Sequence, residues 1–168
     1  MIKTTGLWPV VFLSVFFAGT VQAQPPAAPQ AVIGIIIDDM GKRLETGRRV
    51  LALPGPVACA FLPRAKYTRE LADRANQRGL EVLLHLPMDS VDGRPLDEGA
   101  VTLAMTESEF VGTVLDNLRR VPHVIGINNH MGSLLTRHPG HMRWLMEAIH
   151  RQGGPLFFVD SRTTKATV

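Results

Sequence analysis

From Ala31 onward the chain alternates short apolar runs with stretches in which apolar residues recur at helical spacing. That alternation is the pattern of βα units laid into a parallel sheet. The first apolar run, Val32 to Ile37, predicts a strand, and it gives way at once to two adjacent carboxylates, Asp38 and Asp39. A helix is expected from about Arg43 to Leu53, stopped by Pro54-Gly55-Pro56 because proline has no amide to donate. Val57 to Leu62 reads as the second strand, ended by Pro63. Tyr67 to Arg78 reads as the second helix, with Leu71, Ala72 and Ala75 on one face and Gly79 placed to close it. Leu80 to Leu84 is the third strand, ending on His85.

Pro87 to Val101 holds too many turn formers for a regular element, and loops of that length commonly carry function. Thr106-Glu107-Ser108-Glu109 is a capping box, and Phe110, Val114, Leu115 and Leu118 follow it on one helical face. The fourth strand, Val124 to Ile127, ends in Asn128-Asn129-His130. Met142, Leu145, Met146 and Ile149 mark an amphipathic helix over Pro139 to Gln152, closed by Gly153-Gly154, and their stripe is core. Leu156 to Val159 is the fifth strand, followed by Asp160-Ser161-Arg162. No internal repeat is visible.

The N-terminus breaks the pattern. Lys3 precedes an apolar run from Leu7 to Ala18, and Val21-Gln22-Ala23 supplies small residues where a signal peptidase reads, so residues 1–23 are expected to be a secretory signal. The run is about a dozen residues, short of the ~20 that cross a bilayer as a helix, so no transmembrane anchor is expected after cleavage. Residues 24–30, QPPAAPQ, form a proline-rich leader, and the folded domain is expected over 31–168. The protein is then exported, to the periplasm or beyond. Cys59 is the one cysteine among the 168 residues, which excludes an internal disulfide. The formal charge is +3, or +2 without Lys3, with lysines and arginines scattered among acids. Such scatter predicts a solvated surface rather than a nucleic-acid track, and leaves room for attraction to an acidic cell-wall polymer.

Four of the five strands end in groups that bind metal or move protons: Asp38-Asp39, His85, Asn128-Asn129-His130 and Asp160-Ser161. In a parallel α/β fold those ends share one face, where ligand sites form. Two carboxylates some 4 Å apart repel by roughly 4 kcal/mol at an effective dielectric near 20. A divalent cation held by Asp39, His85 and His130 would cancel that repulsion and account for the histidines together. Blander roles compete with it. The acid pair could cap a helix or face a surface turn, His85 could be hydrogen-bonded at its strand end, and His130 could partner the Asn128 and Asn129 amides. Asp160 and Ser161 could cap a following helix. His123, His138, His141 and His150 are expected to be exposed.

Taken together and in order, IGIIIDDMG, VLLHLPMD, IGINNHMGS and FFVDSRTT resemble the divergent polysaccharide deacetylases, exported bacterial proteins related to the carbohydrate esterases. The likeness runs from about Ala31 to Val168. It implies an α/β fold of alternating β/α units, a distorted seven-stranded barrel. Five strands are predicted here, so the expectation is a domain incomplete at its C-terminal side, with an open edge available for self-association. The resemblance implies that Asp38 is a catalytic base and that Asp39 and His85 are metal ligands. The ordinary pattern has a second histidine four residues after the first, where this chain has Asp89. His130 is then the third ligand, with Asp89 the alternative, and Asn128, Asn129, Ser133, Asp160 and Ser161 stand around the substrate or behind the ligands.

The activity so implied is removal of N-acetyl groups from an envelope polysaccharide or peptidoglycan-like glycan, with a divalent cation, Zn²⁺, polarising the acetamide. A backbone amide near Met131-Gly132 is the candidate second oxyanion donor. The resemblance also implies a late histidine as acid for the leaving amine, and the sequence offers none. Two other functions compete: a non-catalytic envelope protein of the same fold that binds glycan or a cell-wall partner, and a metallophosphoesterase. The latter uses an Asn-His step like Asn129-His130 but also an Asp-x-His after its first strand, where this chain has Asp38-Asp39-Met40.

Overall fold

The computed structural model describes residues 31–168; the expected signal and proline-rich leader lie outside the described residues. In chain order the elements are β1 (Ile36–Met40), α1 (Leu44–Leu51), β2 (Ala58–Phe61), α2 (Thr68–Gln77), β3 (Glu81–Met88), α3 (Glu107–Arg120), β4 (Val124–Met131), a 3₁₀ turn (Leu135–Arg137), α4 (Pro139–His150) and β5 (Phe157–Val159). All five strands are parallel and lie in the order β1-β2-β3-β4-β5. Because successive crossovers keep one hand, a sheet that grows in one direction collects its helices on one face. Among the described residues the sheet has five strands, the number predicted, and the further strands of a seven-stranded barrel are not among them.

Successive residues of a strand point to opposite faces, so each strand feeds two environments. Cys59, Phe61, Val82, Leu84, Leu86 and Ile127 pack under the helices against Leu71, Phe110, Val114 and Leu145. Their neighbours Ala58, Ala60 and Leu83 meet Ile36 on the other face in a much smaller cluster. Gly126 belongs to that inner face, and a Cβ there would stand 2.6 Å from the Phe157 ring, so only glycine lets β5 close on β4. No helix of the described residues is long and apolar enough to cross a membrane.

Three strands, β1, β3 and β4, run further toward the C-terminus than expected, while β2 is one residue shorter at each end and β5 keeps its expected end. β1 starts at Ile36 rather than Val32 and carries Asp38 and Asp39 within it, β3 runs through His85 to Met88, and β4 continues through Asn128, Asn129 and His130 to Met131. The polar residues of β3 and β4 are thus rungs of the sheet held in register by neighbouring backbone, Asp38 and Asp39 lie within β1 where its register shifts, and Asp160 and Ser161 follow β5 as expected. The capping box forms as predicted: Thr106 Oγ1 accepts from the Glu109 amide and the Glu109 carboxylate accepts from the Thr106 amide at 2.8 Å. Those bonds hold the Glu109 carboxyl below its ordinary value. His123, His138 and His150 are exposed, but His141 is half-buried, its ring 4.5 Å from that of Trp144 and 5.6 Å from that of Phe110. The apolar ring between α3 and α4 is why it does not face solvent.

Candidate metal centre

At the C-terminal end of the sheet, side chains from β1, β3 and β4 meet. His85 and Asn128 are direct partners across β3 and β4, and His130 lies two residues further along the same face. That offset brings the two imidazoles to 4.8 Å, edge to face. Adjacent residues Asp38 and Asp39 should point to opposite faces. The pairing of β1 with β2 shifts register between Ile37 and Met40, and Asp39 has a left-handed backbone, φ 58°. Aspartate tolerates that conformation better than a branched residue, and the bulge turns both carboxylates toward the mouth of the sheet. There they are half-exposed, 43% for Asp38 and 59% for Asp39, which is how an apolar strand can carry them. Neither caps a helix: the residue before α1 is Arg43.

β1 and β4 are separated by β2 and β3, a distance of about 14 Å in a flat sheet. Yet Asn128 Nδ2 donates to Asp38 Oδ1 at 2.8 Å, and His130 Nδ1 stands 3.2 Å from Asp39 Oδ1. The sheet must curl sharply toward its inner face for such contacts to form.

The hydrogen bonds assign the protons. Since the Asn128 amide nitrogen serves Asp38, its oxygen accepts from His85 Nδ1–H at 2.9 Å. His85 Nε2 is left as a bare lone pair. His130 Nε2 stands 3.1 Å from Asp97 Oδ2, an ion-pair distance, while His130 Nδ1 is within hydrogen-bond reach of His85 Nε2. His130 Nδ1 and His85 Nε2 lie 3.1 Å apart, and Asp39 Oδ1 is 3.2 Å from the first and 3.7 Å from the second. A proton shared between the two rings, or a cation, can hold three such donor atoms together. A tetrahedral zinc ion with bonds near 2.0–2.1 Å would set its ligand atoms about 3.3 Å apart, so the spacing fits a cation that all three share. Among the described residues, Asp39, His85 and His130 are the group able to hold a metal in this way. Burial pushes the His85 imidazole below its ordinary value, against the Asn128 hydrogen bond and the Asp38 charge, and so keeps it in the neutral, ligating form.

The other expected site residues have different partners. Asp89 is turned away: its Oδ2 accepts from the Leu103 amide at 2.8 Å and its carbonyl accepts from Leu134 and Leu135, so it pins the long loop rather than joining the triad. Ser133 Oγ accepts from the Val91 amide in that loop. Asn129 Oδ1 accepts from the Ser161 amide at 2.8 Å while its Nδ2 donates to the Met131 carbonyl, which ties β4 to the segment after β5. Ser161 Oγ also lies 3.4 Å from Asn128 Nδ2. Asp160 accepts from the Arg162 amide in a tight turn, and no helix follows for it to cap among the described residues.

Asp97 was not foreseen. It sits in the loop between β3 and α3 and binds Lys42 Nζ at 3.0 Å with the same oxygen that meets His130. A carboxylate behind a ligating histidine fixes its tautomer and raises its basicity. The loop's length hinted at function, but nothing local in LDEGA singles out this acid.

Residues 35–168 match the family model described as divergent polysaccharide deacetylase. The chain belongs to the divergent polysaccharide deacetylase family. Within it, 131 residues are 37% identical to the uncharacterized protein YibQ of Escherichia coli, covering 78% of this chain and 40% of that protein. A Haemophilus influenzae protein, also uncharacterized, is 34% identical over 139 residues, 83% of this chain and 49% of its own length. The chain thus spans half or less of the length of these relatives. A solved structure of an uncharacterized Agrobacterium tumefaciens protein superposes with a TM-score of 0.73 at 16% identity over 80% of this chain and 55% of that one, a likeness of fold.

Proposed function

We propose that this chain carries a metal-dependent deacetylase of the carbohydrate esterase type, acting on an N-acetylated envelope polysaccharide. The observation that supports it is the convergence of Asp39 Oδ1, His85 Nε2 and His130 Nδ1 within 4.8 Å of one another beside a second, half-exposed carboxylate. Asp39, His85 and His130 would hold a divalent cation there, Zn²⁺ by the mixed nitrogen and oxygen donor set, which would supply a Lewis acid for the acetamide carbonyl and lower the pKa of water. Asp38 is the base. Water adds to the carbonyl carbon as Asp38 takes its proton, Asp38 returns that proton to the nitrogen as the C–N bond breaks, and acetic acid, ionising to acetate, and a free amine leave. Asn128 aims Asp38 by donating to one of its oxygens, and joins the base to His85 by accepting from it. The five curled strands are read as the first part of a distorted seven-stranded barrel. Export to the periplasm follows from the expected signal at residues 1–23.

A non-catalytic glycan binder of the same fold is the second reading. Asp89, at the position where the ordinary pattern has a ligand, is engaged with the Leu103 amide instead. A metallophosphoesterase would need a second metal's ligands, and the described residues hold one such group. Metal content of the purified protein, with acetate release from a chitin oligomer, separates the first two. Zinc near one equivalent with turnover supports the enzyme; glycan retention without acetate overturns it in favour of the binder.

A further inference from the structure

Arginines that look scattered along the sequence gather in space beside the candidate centre. Arg64, Arg119 and Arg120 share a single carboxylate: Asp116 lies 3.0 Å from Arg64 Nη2, 3.6 Å from Arg119 Nη2 and 2.7 Å from Arg120 Nε. One acid cannot neutralise three guanidinium groups. These three line a cavity of about 390 Å³ together with Lys66, Arg69 and one exposed acid, Glu98. Lys66 lies over the Tyr67 ring at 5.1 Å, and neither it nor Arg69 has a carboxylate within 4.0 Å among the described residues.

A second feature points the same way. The N-terminus of α2 opens at this cavity with Thr68 and Arg69 in its wall. Tyr67 offers it no side-chain cap, and the Thr68 hydroxyl is committed to the Leu62 carbonyl. The Thr68 amide is bonded to the Ala65 carbonyl, so the Arg69 and Glu70 amides are those that add partial positive charge, with the Glu70 carboxylate in the same turn paired to Arg48 and Arg74. The cavity also extends toward the centre as far as Asp97. A smaller space of about 210 Å³ shares Arg64, Ala65 and Glu98 with it and is walled on its far side by Lys42 and Asp97, the pair behind His130.

We propose that this basic groove binds a carboxylate-bearing stretch of the N-acetylated glycan whose acetamide reaches the metal centre. Guanidinium forks match carboxylates in shape as well as charge, and a groove of repeated arginines suits a repeating acid along a polymer. The inference rests on the deacetylase reading for the identity of the reacting group, but not for binding. It names the substrate class: an acidic, N-acetylated polysaccharide rather than a neutral one.

The test is fluorescence anisotropy of the full chain with labelled hyaluronan decasaccharide, which alternates N-acetylglucosamine and glucuronate, against a neutral chitin oligomer. Hyaluronan should bind on the order of tenfold more tightly at low salt, with the advantage shrinking as salt screens it. The double reversal Lys66→Glu with Arg69→Glu, which leaves the Asp116 cluster and the triad intact, should erase the advantage while zinc content stays at the wild-type level. Equal binding of the two glycans overturns the proposal, as does a preference that survives the double reversal. Tighter binding of an oligothymidylate of equal charge overturns it too. Acetate release from the neutral oligomer is scored separately, so equal binding of the two glycans by the wild-type chain with turnover intact sinks this inference alone. Preference without turnover sinks the deacetylase reading alone.

Discussion

Asp97 Oδ2 stands 3.1 Å from His130 Nε2 and 3.0 Å from Lys42 Nζ, so one oxygen binds a candidate ligand on one side and a cation on the other. Carboxylates in that position behind a ligating histidine commonly govern affinity by about 10- to 100-fold. Asp97→Asn should weaken zinc binding by that range with the fold intact, as titration calorimetry and circular dichroism would show. Unchanged affinity would make Asp97 a surface ion pair and no more.

Asp38 and Asp39 are neighbours with separate assignments. Asp38→Asn should lower acetate release at least a hundredfold with zinc affinity within a few-fold of wild type, because a base is lost and no ligand is. Asp39→Asn should lose the zinc. The comparison requires metal content and turnover on the same preparations, and equal zinc loss in both variants would refute the division of labour.

The order of elements was legible because each βα unit has its own punctuation: Pro54-Gly55-Pro56 after α1, Gly79 after α2, the capping box before α3. The three candidate ligands were legible as well, since β1, β3 and β4 each put a polar group at the same end of a parallel sheet. Strand length was not. Hydrophobicity stops at Ile37, Leu84 and Ile127, whereas pairing continues for three or four residues because backbone hydrogen bonds do not depend on the side chain. Asp97 was beyond reach for a similar reason: the Asn117 side chain grips the Gly99 carbonyl at 2.7 Å, a contact between α3 and the loop that no local pattern encodes.

Asn128 is buried and joins His85 to Asp38 through its two amide atoms. Asn128→Leu removes both bonds and strands the His85 Nδ1–H without a partner. A loss of about 1–3 kcal/mol is expected from the orphaned donor, read by urea denaturation. Asn128→Asp should be worse for zinc-free protein than for zinc-loaded, since it adds a third carboxylate to the mouth.

Cys59 lies under the helices with no exposure, and burial pushes its thiol up to about 11 from an ordinary value of 9.0. Between those values the unfolded chain has lost the proton that the folded chain keeps, so stability must fall as pH rises from about 9 to 11. The expected loss is about 2–3 kcal/mol, at roughly 1.4 kcal/mol per unit. Below pH 9 the thiol should resist iodoacetamide until denaturant is added; rapid labelling of native protein would contradict its burial.

The bond from Asn128 to Asp38 spans 90 positions of sequence and joins one margin of an open sheet to its fourth strand. Only that polar end is tied, for the opposite rim near Ile35 and Phe157 has exposed apolar side chains and a cavity of about 400 Å³. Chelation should therefore act like undoing a clasp: amide exchange should quicken first along Ile36–Met40, while Glu81–Met88, flanked on both sides, keeps its protons longest.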